Sequence, residues 1–141
     1  MDICIDFDGT CVTHDYPEIG KDIGAIPVLK DLVKNGHRLI LFTMRSDHEF
    51  YIEDSIVKVR KSKRECLSDA VKWFKDNDIT LYGIQANPTQ HEWTTSKKAY
   101  GQLYIDDAAL GIPLIINQEI SNRPYVNWND VRKILVNMNI L

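Results

Sequence analysis

Four aspartates fall in two short groups of this 141-residue chain: Asp6-Phe7-Asp8-Gly9-Thr10 near its start, and the adjacent pair Asp106-Asp107 far later. Side chains two apart on a strand leave the same face, so Asp6 and Asp8 can converge while Phe7 points into a core. Three or four carboxylates in one place repel one another, and repel any anionic substrate, so such a gathering implies a cation among them. Thr43, Arg45 and Lys98 add a hydroxyl and two positive charges to the inventory.

These residues matter together only if the fold brings them together. Residues 1–7 are apolar enough for a first strand, which Asp8-Gly9-Thr10 ends. A helix is predicted over 26–34, with Pro27 tolerated in its first turn and Gly36 just past its end. The run 38–43 is continuously apolar, as in a strand covered on both faces. Cys66, Leu67, Ala70, Val71 and Phe74 recur at helical spacing, which predicts a helix over 64–77. Strands follow at 79–84, 102–105 and 114–116, with a loop over 86–96. Val131, Ile134, Leu135 and Met138 share one face of a closing helix. The stretch 45–63 is the least regular; Phe50, Ile56 and Val57 fit one face of a small helical insert.

Strands alternating with helices imply an α/β fold of three layers, Rossmann-like, with a mostly parallel sheet flanked on both sides. In such sheets ligands bind beyond the carboxyl ends of the strands. Asp6, Thr43 and Asp106 all fall at such ends.

The bulk properties narrow the field further. The length suits a single domain over residues 1–141. A net charge of −3 argues against a broadly basic nucleic-acid-binding surface, though not against a local patch. The three cysteines, Cys4, Cys11 and Cys66, are odd in number and lack metal-ligand spacing, as expected for a reducing, cytoplasmic setting. No basic segment leading into a long apolar run opens the chain, so no signal peptide is expected. No stretch approaches the ~20 apolar residues of a membrane span.

The Asp-x-Asp-Gly-Thr at residues 6–10 resembles the first motif of the haloacid dehalogenase (HAD) superfamily. Thr43 resembles its second motif, Lys98 its third and Asp106-Asp107 the paired-acid form of its fourth, in the expected order. The resemblance implies a HAD-like hydrolase domain and a Mg²⁺-dependent phosphatase acting on phosphate monoesters. Asp6 would be the nucleophile, forming an aspartyl-phosphate, and Asp8 the general acid and base. Mg²⁺ would be held by the Asp6 carboxylate, the Asp8 main-chain carbonyl and an acid of the 106–107 pair. Adjacent strand residues point oppositely, so one of that pair is expected to ligate directly and the other to act through water or hold Lys98. Thr43 and Lys98 would bind the substrate phosphate, and Gly9 would permit a turn aiming main-chain N–H groups at it. Arg45 reads equally as a phosphate ligand or a solvated loop cation.

Other readings of the same residues are weaker. An Asp-x-Asp-Gly also opens calcium loops, but Cys11 stands where such a loop needs glycine. Asp6 and Asp8 could merely cap a strand and start a turn, and Lys97 could be taken for Lys98. His14, His37, His48 and His91 share no ligand spacing and read as surface residues, with His14 and His91 in loops near the site. Trp93 reads as packing, or as a platform for a base or sugar.

The spacings leave no room for a cap domain, so the chain resembles the capless members of the superfamily. Their open sites tend to act on large substrates such as phosphorylated nucleic acids or proteins, and an oligomeric neighbour could close such a site. Three alternatives share these motifs: a phosphotransferase, a polynucleotide phosphatase, and a catalytically idle binding protein on the same fold.

Overall fold

Strand β1 (Asp2–Ile5) forms the middle of the molecule because both of its faces are buried. Ile3 and Ile5 point to one side and Cys4 to the other, the two-residue alternation of a strand. The computed structural model describes residues 1–47, 50–54, 58–62 and 64–141. Helix α1 (Ala25–Lys34) follows, burying Ala25, Val28, Leu29 and Leu32 at helical spacing. Gly36, in the left-handed region at φ 84°, lets the chain turn out of that helix. Strand β2 (Arg38–Leu41) then pairs with β1 in parallel.

The sheet is completed by β5 (Leu81–Ile84) and β6 (Leu103–Ile105), giving the order β5-β2-β1-β6 with every pairing parallel. Helix α2 (Cys66–Asp76) buries Cys66, Ala70 and Phe74. A two-stranded antiparallel pair, β7 (Leu114–Ile115) with β8 (Tyr125–Val126), precedes helix α3 (Trp128–Asn137). Asn127 caps α3 by accepting from the Asp130 amide at 3.3 Å.

Two expectations about these elements need correction. The stretch 45–63 holds no helix among its described residues. It holds an antiparallel hairpin, β3 (Phe50–Asp54) with β4 (Lys58–Ser62), in which Phe50 lies opposite Ser62 and Asp54 opposite Lys58. Aromatic and β-branched residues alternating with charged ones, as in Val57-Lys58-Val59-Arg60, favour strands over a helix. Ile56 and Val57 themselves lie outside the described residues, as does His48. On α3, Val131 and Leu135 are buried as expected, but Ile134 and Met138 are half exposed and Trp128 takes the inner position instead.

The layers also differ from the expected three. The buried faces of α1, α2 and α3 all join one cluster with Ile3, Ile5, Phe7, Leu39, Leu41 and Ile105. Among the described residues, the opposite sheet face carries only a small cluster of Cys4, Ile40 and Ala99, with Phe42 and Tyr82 against it and no helical residue. The cause is the connection between β5 and β6. It crosses from one edge of the sheet to the other, where a second helical layer would arise, yet its sole helical turn is the short Gln90–Glu92. Polar residues and Pro88 leave this loop no apolar helical stripe, and it packs instead through internal hydrogen bonds around Asn87 and Gln90. No described helix is long and apolar enough to cross a membrane.

Candidate functional site

The carboxyl ends of β1, β2 and β6 open into a cleft of about 470 Å³. It is lined by Asp6, Asp8, Thr43, Arg45, Asp106 and Asp107 together with His14, Tyr16, Met44, Ala108 and Arg123. The cleft lies where parallel sheets ordinarily place a binding crevice.

Asp6 stands where β1 gives way to a loop, its amide still bonded to the Ile105 carbonyl at 3.0 Å. Its carboxylate accepts from the Thr10 hydroxyl at 2.9 Å and from the Phe7 amide. The same Thr10 oxygen accepts from the Asp107 amide at 2.9 Å, so one side chain ties the two acidic segments together. Asp6, Asp106 and Asp107 each bring an oxygen to within 4.8 Å of the others. Burial pushes the Asp6 carboxyl up from 3.8 to about 7; the Asp106 and Asp107 carboxylates push the same way, against the Phe7 and Thr10 hydrogen bonds. Three hard oxygen donors converging with no cationic side chain among them are the donor set of a small divalent cation, so these residues fit Mg²⁺.

Both acids of the 106–107 pair reach this cluster, against the expectation that adjacent residues diverge. The chain leaves β6 at Ile105, so strand alternation no longer governs Asp106 and Asp107. Asp106 accepts from the Ala108 amide at 2.8 Å. Asp107 is held by His14, whose Nε2 lies 2.9 Å from Oδ2, with the ring donating to the carboxylate. His14 reaches it by lying across Gly9. That glycine has φ 80°, and a Cβ there would stand 2.0 Å from His14 Nε2. The expected role of Gly9 changes accordingly. Its own N–H donates to the Val12 carbonyl at 2.7 Å, away from the cleft, and what it provides is a bare surface for the imidazole.

Asp8 has a different fate from Asp6. Arg45, 1% exposed, grips both its carboxylate oxygens, from Nε at 2.7 Å and from Nη2 at 2.7 Å. The remaining Arg45 donors go to the carbonyls of Glu18 at 2.7 Å, Pro17 at 3.3 Å and Cys66 at 3.4 Å. A guanidinium has five N–H donors, and all five are engaged. Arg45 is therefore neither a solvated cation nor a phosphate ligand here: it is a buried anchor for Asp8, flanked by the rings of Phe7 and Tyr16 at 5.0 and 5.3 Å. The Asp8 carboxylate stays outside the three-acid cluster.

Thr43 lies at the cleft, its hydroxyl oxygen accepting from the Arg45 amide at 3.2 Å. The segment is held by Gln85, a residue that drew no notice in the sequence. Its side-chain oxygen accepts from the Thr43 amide at 3.0 Å, and its nitrogen donates to the Thr43 and Arg45 carbonyls at 2.7 and 3.1 Å. Lys98 is not among the residues lining the cleft. Its ammonium lies 5.3 Å from the centre of the Tyr104 ring, in a separate depression with Trp93 and Tyr100. The expected partner of the second acid is replaced by His14. Of the residues the sequence left in the background, His14 adjoins the first motif; Arg123 and Gln85 carry no local signal.

The cysteines are all free and buried. Burial raises the Cys4 thiol to about 11, the value of an inert packing residue.

No protein-family model matches the chain, and no curated protein does. A solved structure, described as that of a conserved protein coded by a locus of Bacteroides thetaiotaomicron, is similar to it. The two are 29% identical, with a TM-score of 0.69 over 98% of this chain and 91% of that one. The likeness is one of fold. It supports the α/β architecture with its parallel four-stranded sheet and carries no activity with it.

Proposed function

We propose that the chain is a Mg²⁺-dependent phosphatase of HAD type, capless and open, with Asp6 as its nucleophile. The observation that carries this reading is the convergence of Asp6, Asp106 and Asp107 within 4.8 Å at the carboxyl ends of two adjacent strands, with Thr43 at the end of a third. Bound Mg²⁺ would neutralise the cluster and the approaching phosphate dianion.

An Asp6 oxygen attacks phosphorus, a bond forms between them, and the ester P–O bond breaks. Asp8 gives its proton to the departing alkoxide. A water then attacks the aspartyl-phosphate and gives a proton to Asp8, the Asp6–phosphorus bond breaks, and inorganic phosphate leaves. Arg45 orients Asp8 throughout. It occupies one lone pair on each oxygen, and a proton takes one of those it leaves open. The Thr43 hydroxyl donates to a phosphoryl oxygen. His14 fixes Asp107, and Thr10 fixes Asp6.

The test is release of inorganic phosphate from a panel of p-nitrophenyl phosphate, sugar phosphates, nucleotides and end-phosphorylated oligonucleotides, with and without Mg²⁺. Turnover that needs both Mg²⁺ and Asp6 is the expected result. Turnover that survives Asp6→Asn overturns the mechanism, and silence of the whole panel moves the reading to an idle binding protein.

A further inference from the structure

A phosphatase must hold a dianion, and neither cation the sequence nominated for that work is offered to the cleft: Arg45 is spent on Asp8 and three carbonyls, and Lys98 lies against Tyr104 in a separate depression. The cleft nevertheless contains one further positive side chain. Arg123 lines it, is exposed, and has no side-chain partner among the described residues. We infer that Arg123 is the residue that binds the phosphoryl oxygens of the substrate, an inference that rests on the phosphatase reading above.

The fold positions Arg123 for this. It precedes β8 by two residues, and β8 is fastened to the nucleophile loop: the Val126 amide donates to the Gly9 carbonyl at 2.9 Å. Trp128, at the start of α3, donates from Nε1 to the Thr10 carbonyl at 2.7 Å. The loop before Arg123 is closed by bonds from the Ile120 and Ser121 amides to the Asn117 carbonyl, and Lys21 holds the Ile120 carbonyl at 2.9 Å. A segment tied at these points presents Arg123 to the cleft with its guanidinium fork unspent. Guanidinium matches phosphate oxygens two at a time, which a lysine cannot do.

Charge favours the same assignment. With Asp8 protonated for its role as acid, the other three carboxylates of the cleft are balanced by Arg45 and one divalent cation. Arg123 then gives the cleft the net positive charge that attracts a phosphate dianion.

The experiment compares wild type, Arg123→Ala and Arg123→Lys in two measurements. Calorimetric binding of inorganic phosphate to the Mg²⁺-loaded protein needs no turnover. The expected result is a Kd about 10- to 100-fold weaker for Arg123→Ala, with partial recovery in Arg123→Lys. KM for p-nitrophenyl phosphate should rise in parallel while kcat changes less. The side chain is exposed, so the melting midpoints of the three proteins should agree. Phosphate affinity within twofold of wild type in Arg123→Ala, or no phosphate binding by wild type, overturns the inference. Arg123-dependent phosphate binding without turnover of any ester leaves the inference standing and removes the phosphatase reading. Turnover by wild type with an unchanged KM in Arg123→Ala does the reverse.

Discussion

Strand β1 has a buried aspartate at one end and a largely buried one just beyond the other. Asp2 is 3% exposed and accepts from Arg38 Nε at 2.6 Å and from Asn87 Nδ2 at 2.8 Å. Asp6 accepts from a hydroxyl and an amide, and faces two more carboxylates. One carboxylate has a cation supplied by the fold. The other is left without one in a place where burial already disfavours its charge. A fold gains nothing in stability from the second arrangement, and that is the physical ground for the cation proposed there. Asp8 falls between the two: it opens on the cleft like Asp6, yet is paired as fully as Asp2.

The sharpest way to break this comparison is to neutralise each carboxylate in turn. Asp6→Asn should lower phosphate release by at least ~10⁴-fold, as expected for loss of a nucleophile. The same substitution should raise the stability of the metal-free protein, on the order of 1–2 kcal/mol by urea denaturation at pH 7, because it removes a buried charge. Removing the anchor of Asp8 comes next. Arg45→Met should destabilise the fold by about 3–5 kcal/mol, since it leaves a carboxylate unpaired and three carbonyls without their donor, and this can be read from the same denaturation curves. Asp2→Asn should cost less, about 1–3 kcal/mol, and should leave kcat per folded molecule unchanged.

The smallest effect is on pH dependence, where the two ends of β1 again part. With its folded value raised from 3.8 to about 7, Asp6 binds its proton more tightly folded than unfolded. Its contribution is complete below about pH 4 and is lost in metal-free protein as pH rises toward 7. Melting midpoints of wild type should therefore fall across that range relative to those of Asp6→Asn. Parallel profiles would show that Asp6 is not strained as described.

Much of this architecture was legible in the sequence because it is written locally. Ile3 to Ile5 and Leu39 to Leu41 are uninterrupted apolar runs, and Asp6 and Thr43 follow them where a parallel sheet opens. The strands 50–54 and 58–62 escape a sequence reading because a short apolar pattern of weak period serves a helix or a strand, and only the pairing of Phe50 with Ser62 decides it. The roles of Arg45 and Lys98 depend on which of several acceptors each side chain reaches across loops, and nothing in the spacing of either residue encodes that. Arg123 was invisible for the same reason: its place follows from the bond of Val126 to Gly9, a contact between residues more than a hundred positions apart.

The most direct test of the claim that the Asp6 end of β1 requires a cation is the melting midpoint of wild type and Asp6→Asn at pH 7 as Mg²⁺ is added. At ~100 times its dissociation constant, Mg²⁺ should stabilise wild type by about 2.7 kcal/mol, a shift of several degrees, and should leave Asp6→Asn nearly unmoved. Equal shifts in the two proteins, or none in wild type, would contradict the account.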